Sequence, residues 1–93
     1  MLESRLQSKC LDVCKKQGIL AVKVDSTSSR GFPDITCVLP NGSVVFVELK
    51  TPTGKTSALQ DRMIGKLERN NANVYVIRSL DDFKAVIAKH LNG

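Results

Sequence analysis

Ile35-Thr36-Cys37-Val38-Leu39-Pro40-Asn41-Gly42-Ser43-Val44-Val45-Phe46-Val47-Glu48-Leu49 is two runs of β-branched and apolar residues around a turn, and the way it folds back decides which side chains meet. With Pro at the first turn position and Gly where φ must be positive, Pro40-Asn41-Gly42 reads as a three-residue hairpin loop. Leu39 then faces Ser43, and stepping back along both strands brings Asp34 opposite Glu48. A two-residue Asn41-Gly42 loop would put Glu48 opposite Ile35 instead, so the register rests on loop length. Strand side chains alternate between faces, which places Asp34, Thr36, Val38, Val44, Phe46, Glu48 and Lys50 together.

Facing Cβ atoms in such a pair lie about 5 Å apart, and two like charges there are destabilising unless something between them carries positive charge. A divalent cation does that. Glu48 also sits inside Val44-Val45-Phe46-Val47-Glu48-Leu49, a continuous apolar run of the kind covered on both faces, where an unpaired carboxylate is costly to bury. Either acid taken singly reads equally well as a strand-end solubility device. Taken together, two carboxylates and the Lys50 amine on one face point to metal-dependent phosphodiester chemistry.

Pro33-Asp34 followed by Glu48-Leu49-Lys50, a glutamate at Glu3 in the first predicted helix, and Gln60 near the start of the helix after the third strand together resemble the PD-(D/E)XK nuclease superfamily. Within it, the chain is similar to the small, stand-alone VRR-Nuc domains of phage and bacterial type. P-D followed by E-x-K is a short pattern, and its specificity comes from the surrounding α-β-β-β-α-β order, which covers nearly the whole chain. The resemblance implies that Asp34 and Glu48 bind Mg²⁺ or Mn²⁺, that Lys50 orients or activates the attacking water, that Glu3 completes the metal site directly or through water, and that Gln60 supports it. Hard cations take oxygen ligands and keep several waters, so the backbone carbonyl of Leu49 is a further candidate ligand. Lys50 could stabilise developing negative charge or, if burial depresses its pKa, accept a proton; both tasks stay open. Structural readings stand beside two of these residues. An acid in a first helical turn is favourable against the helix dipole, which accounts for Glu3. Ser57-Ala58-Leu59-Gln60 reads as a capping box, which accounts for Gln60.

Ninety-three residues with 42% hydrophobic content fit one domain over residues 1–93, with one core and modest stability that a second copy would raise. No stretch is long or apolar enough to span a membrane, and the first residues, MLESRLQSKC, are not signal-like. The expected location is cytoplasmic, in a bacterial cell or phage-infected host. Cys10, Cys14 and Cys37 cannot all pair within one chain and lack C-x-x-C spacing, so they read as reduced core residues. Asn41-Gly42-Ser43 matches a glycosylation sequon in form, but turn chemistry already explains it.

A net charge of +5 and a pI near 9.4 suit a polyanionic partner. Distribution matters more. The polar stretch with Ser28, Ser29 and Arg30 leads into Asp34, and Thr51 to Thr56, with Lys55, leaves Lys50. Hydroxyls, backbone amides and these two cations suit a DNA backbone gripped without base reading. Lys15, Lys16, Arg62 and Lys66 read as ordinary exposed helix positions.

For the remaining elements, a first helix runs from Leu2 to Gln17 and stops at Gly18, a strand covers Ile19 to Asp25, and Leu59, Met63, Ile64 and Leu67 give the second helix an apolar stripe. Asn73 to Arg78 supplies a fourth strand joined by a parallel crossover, and Ser79 caps a last helix on which His90 is structural. The expected class is α/β, ordered α-β-β-β-α-β-α, with a mixed sheet flanked by helices. The resemblance implies a homodimeric, structure-selective DNA endonuclease acting on branched DNA such as Holliday junctions. The competing readings are cleavage of flaps, nicks or linear duplex by the same residues, and a non-catalytic nucleic-acid-binding module.

Overall fold

The structure, a computed structural model, describes residues 3–24 and 30–93. Its element order is α1 (Glu3–Lys16), β1 (Leu20–Lys23), β2 (Ile35–Val38), β3 (Val44–Leu49), α2 (Ala58–Arg69), β4 (Asn73–Ile77) and α3 (Leu80–Asn92). This is the expected order. The predicted beginning of the first helix at Leu2 and the predicted end of the first strand at Asp25 lie outside the described residues.

The four strands form one sheet in the order β1-β2-β3-β4. β1, β2 and β3 pair antiparallel, while β4 joins β3 in parallel through the α2 crossover. The three-residue loop forms between β2 and β3: the Leu39 N–H donates to Ser43 O at 2.8 Å, the Gly42 N–H donates to Leu39 O at 2.9 Å, and Gly42 takes φ +88°. The pairs Ile35–Val47, Thr36–Phe46, Cys37–Val45 and Val38–Val44 follow. One step further along this register, Asp34 comes opposite Glu48.

Alternation then sorts the sheet into two faces. Ile35, Cys37, Leu39, Val45, Val47, Leu49 and Ile77 are buried against Leu6, Cys10 and Cys14 of α1 and Phe83 and Ile87 of α3. The three cysteines are free and buried, as the sequence reading has them, with Cys14 and Cys37 sulfurs 4.0 Å apart. His90 accordingly serves the scaffold, with its Nε2 2.7 Å from the Tyr75 hydroxyl.

Chain reversals are set by glycine and asparagine. α1 ends in a Schellman arrangement in which Gly18 takes φ +68° and the Ile19 N–H donates to Cys14 O at 2.9 Å. Ile19 is therefore buried as the capping contact and falls just outside β1. α2 ends the same way, with Asn71 at φ 63° and the Ala72 N–H on Leu67 O at 3.0 Å.

The apolar stripe expected on α2 is covered less than the sequence implies. No α2 residue is fully buried; Met63, Ile64 and Leu67 are half-buried and Leu59 is exposed. The reason is position: α2 packs against the edge strand β4, on the face opposite α1 and α3, rather than across the middle of the sheet.

Candidate active site

The site is built on the face that α1 and α3 leave alone. Asp34 closes the turn before β2, and its carboxylate Oδ2 accepts the Leu49 N–H at 2.8 Å. That bond ties the end of β3 to the residue facing Glu48 and fixes one carboxylate oxygen of Asp34. The approach to Asp34 is equally constrained. Gly31 has φ +77°, and a Cβ there would lie 2.5 Å from Leu59 O, so only glycine lets this loop pass against the first turn of α2.

Glu48 is 2% exposed, an ionisable group set within a strand of buried neighbours. Its Oε2 accepts the Gln60 Nε2–H at 2.8 Å and lies 3.5 Å from the Lys50 ammonium. Its Oε1 is buried without any hydrogen-bond partner. Burial pushes the Glu48 carboxyl up to about 7, the Asp34 carboxylate adds to the rise, and Lys50 opposes it. Lys50 shares the face because it stands two residues beyond Glu48, and its amide is fixed by donating to Ile77 O at 3.0 Å.

Gln60 makes the capping contacts and also touches Glu48. Ser57 caps α2, its side chain accepting the Gln60 N–H, while Gln60 Oε1 accepts the Ser57 N–H at 2.8 Å. The same side chain's amide nitrogen donates to Glu48. A glutamate would complete the box equally well but has no N–H to give, so the choice of Gln at this capping position was the signal that it faces a carboxylate.

Asp34, Glu48, Lys50 and Gln60 are thus brought together. Arg30 and Lys55 are exposed. Ser28 and Ser29 lie outside the described residues, as does the side chain of Glu3, whose backbone opens α1. Among the described residues no three Asp, Glu, His or Cys side chains gather into a metal-binding group. The donor set is two carboxylates and nearby backbone carbonyls, all hard oxygens. Sequence reasoning passed over Arg78, whose Nη1 donates to Thr51 O at 2.9 Å and to Gly54 O, holding the turn that follows Lys50.

A mixed sheet of this order, carrying a facing Asp–Glu pair with a lysine two residues beyond the glutamate, defines a restriction-endonuclease-like core. Known proteins agree. Residues 7–81 match the family described as the VRR-NUC domain. A protein of Acyrthosiphon pisum secondary endosymbiont phage 1 named "Putative nuclease p44" is 34% identical over 79 residues, covering 85% of each chain. A solved structure described as a VRR_NUC domain superposes with a TM-score of 0.83 at 29% identity, covering 92% of this chain and 94% of that one. A second, a VRR_NUC domain protein, shares the fold with a TM-score of 0.84 at 14% identity, over 99% of this chain and 89% of that one. The chain belongs to the VRR-NUC family of nuclease domains.

Proposed function

We propose that the protein is a Mg²⁺- or Mn²⁺-dependent DNA endonuclease that hydrolyses phosphodiester bonds in branched DNA such as Holliday junctions, acting as a homodimer. The observation that carries the metal dependence is the buried, unpartnered Oε1 of Glu48 facing Asp34. A buried acceptor without a donor costs on the order of 1–3 kcal/mol, more for a charged group, and a cation would give that oxygen a partner. Asp34, Glu48 and the Leu49 carbonyl would hold the ion, with Glu3 as an additional carboxylate directly or through water. When bound, the ion supplies Lewis acidity, neutralising charge on the phosphate and acidifying water.

The chain's own residues do the rest. Gln60 and the Leu49 N–H each occupy one carboxylate oxygen, Oε2 of Glu48 and Oδ2 of Asp34, which leaves the other oxygen of each acid for the ion. Lys50 places an ammonium beside Glu48, where negative charge develops as water attacks. Ser28, Ser29, Arg30 and Lys55 would meet the DNA backbone and contribute affinity without sequence preference. No helix among the described residues is long and apolar enough to cross a membrane.

The test is to incubate the protein with end-labelled four-way junction, flap, nicked and linear duplex DNA, with Mg²⁺, Mn²⁺ or EDTA, beside Asp34→Asn and Lys50→Ala. Expected is metal-dependent cutting of the junction that both variants lose. Preferred cutting of another substrate would redirect the task while keeping the chemistry. Binding without cutting by wild type and variants alike would sink the enzyme reading.

A further inference from the structure

Arg78 stands outside the acid cluster, immediately after β4, yet it grips the segment that joins the two residues supporting Glu48. Its half-buried guanidinium donates through Nη1 to the carbonyl oxygens of Thr51, at 2.9 Å, and Gly54. Among the described residues it has no carboxylate within ion-pair distance. The cation is therefore committed to two backbone carbonyls, as charge-assisted bonds roughly twice as strong as neutral ones. The turn it holds is also closed on itself: the Gly54 N–H donates to Thr51 O at 3.1 Å. A Cβ at Gly54 would come within 2.8 Å of Thr51 Oγ1, so the two residues are in close approach.

The position of this turn in the chain gives the clamp its consequence. Upstream lies Lys50, whose amide is anchored to Ile77 O, next to Arg78 itself. Downstream the chain enters the Ser57 cap and Gln60. Lys50 and Gln60 approach the same atom, Oε2 of Glu48, from opposite ends of one short irregular connection. With proline at position 52 and glycine at 54, that connection has no helix or strand of its own to hold it. Of the two half-buried residues whose carbonyls Arg78 holds, Thr51 also accepts the Gly54 N–H, while the Gly54 carbonyl accepts from Arg78.

We propose that Arg78 is a positioning residue for the nuclease site: by pinning the Thr51 and Gly54 carbonyls it sets the Thr51–Gly54 turn so that Lys50 and Gln60 converge on Glu48. Its effect on turnover rests on the metal-dependent hydrolysis proposed above, whereas the clamp itself does not. Arg78 acts through backbone, so its loss should lower the rate of the chemical step and leave DNA affinity nearly unchanged. Misplacement of a catalytic group by about 1 Å can cost on the order of 100-fold.

The experiment uses the full chain, with Arg78→Met, which keeps the stem and removes every donor, and Arg78→Gln, which restores an N–H donor without the charge. Amide hydrogen exchange is followed across the chain, and kcat and KM for junction cleavage are measured at two salt concentrations. Expected for R78M is exchange at residues 51–58 faster by about tenfold or more with the β2 and β3 core still protected, since local opening is independent of the global transition. Expected kinetically is a kcat lower by about 10- to 100-fold with KM within about twofold, and a smaller kcat loss in R78Q. Unchanged exchange at 51–58 overturns the clamp, as does an even rise across the whole chain. A higher KM with weaker salt dependence and unchanged kcat overturns it in favour of a phosphate contact. Should R78M fail to fold, R78Q is read by the same criteria. If wild type cuts no DNA, the nuclease reading fails, and the exchange measurement still decides the clamp.

Discussion

At the scale of single residues, the site turns on a glutamate that the fold makes hard to ionise. Glu48 is buried and its carboxyl is pushed up to about 7 from an ordinary 4.5, first by burial and then by Asp34. Between those two pH values the folded state keeps the proton while the unfolded chain releases it, so stability falls as pH rises through that window. The full effect is on the order of 3 kcal/mol, reached above about pH 7. In chelator, the melting temperature of the wild type is therefore expected to fall from pH 4.5 to 8 relative to Glu48→Gln, which has nothing to ionise there. Adding Mg²⁺ at pH 8 should recover stability in the wild type and not in Glu48→Gln; calorimetry with and without EDTA reads both. Gln60 offers a separate test, because its two ends do different work. Gln60→Glu keeps the acceptor that caps α2 and replaces the donor with a charge that repels Glu48. Exchange protection in α2 should persist while cleavage falls by about tenfold or more, the typical cost of a lost charge-assisted bond. Loss of both together would mean that the cap, not the Glu48 contact, is what the residue contributes.

At the scale of elements, how far the sequence could be read depended on whether the deciding contact was local. The β2–β3 register followed from the Pro40-Asn41-Gly42 loop and carried Asp34 to its place opposite Glu48, because loop length alone fixes which residues face each other. The α2 capping box was equally legible, being complete within Ser57 to Gln60. What stayed hidden involves partners far apart in the chain. The α2 stripe looks like a core face in sequence, but its exposure depends on α2 lying over edge strand β4, and periodicity says nothing about that. Arg78 bonding to Thr51 and Gly54 leaves no pattern at all, since an arginine after a strand has no preferred target. Gly31 is a third case, because its tolerance is set by Leu59 on another element. Gly31→Ala should cost about 3 kcal/mol, combining positive φ with a clash against backbone, whereas Gly18→Ala, also at positive φ but with open space around it, should cost about 1 kcal/mol. Urea unfolding of the two variants measures the difference; equal costs would mean the loop before Asp34 yields easily and does not depend on its contact with α2.

For the whole molecule, the uneven covering of the sheet bears on assembly. α1 and α3 cover the core face, while on the other α2 lies at the β4 side, so the β1 side of that face has no helix over it among the described residues. Leu20 and Val22 of β1 point to this open side, in register with Val38 and Thr36, and are 62% and 48% exposed. Among the described residues β1 pairs only with β2, which leaves its other edge with unpaired backbone groups. An antiparallel edge strand is its own complement under two-fold rotation, so a second copy could pair there and cover the same apolar side chains. A homodimer formed there would meet at β1, two strands from the β3 that carries Glu48. Leu20→Lys with Val22→Lys puts two like charges from each copy across that contact and, being on the surface, should leave the fold intact. Sedimentation equilibrium is expected to show a dimer for the wild type and a monomer for the double variant, with unchanged circular dichroism. Because a junction needs two cuts, the monomer should nick one strand and release paired products at least about tenfold more slowly than the dimer. A double variant that stays dimeric would move the interface elsewhere, and a wild type that is monomeric at micromolar concentration would leave the branched-DNA specificity to the single domain's own shape.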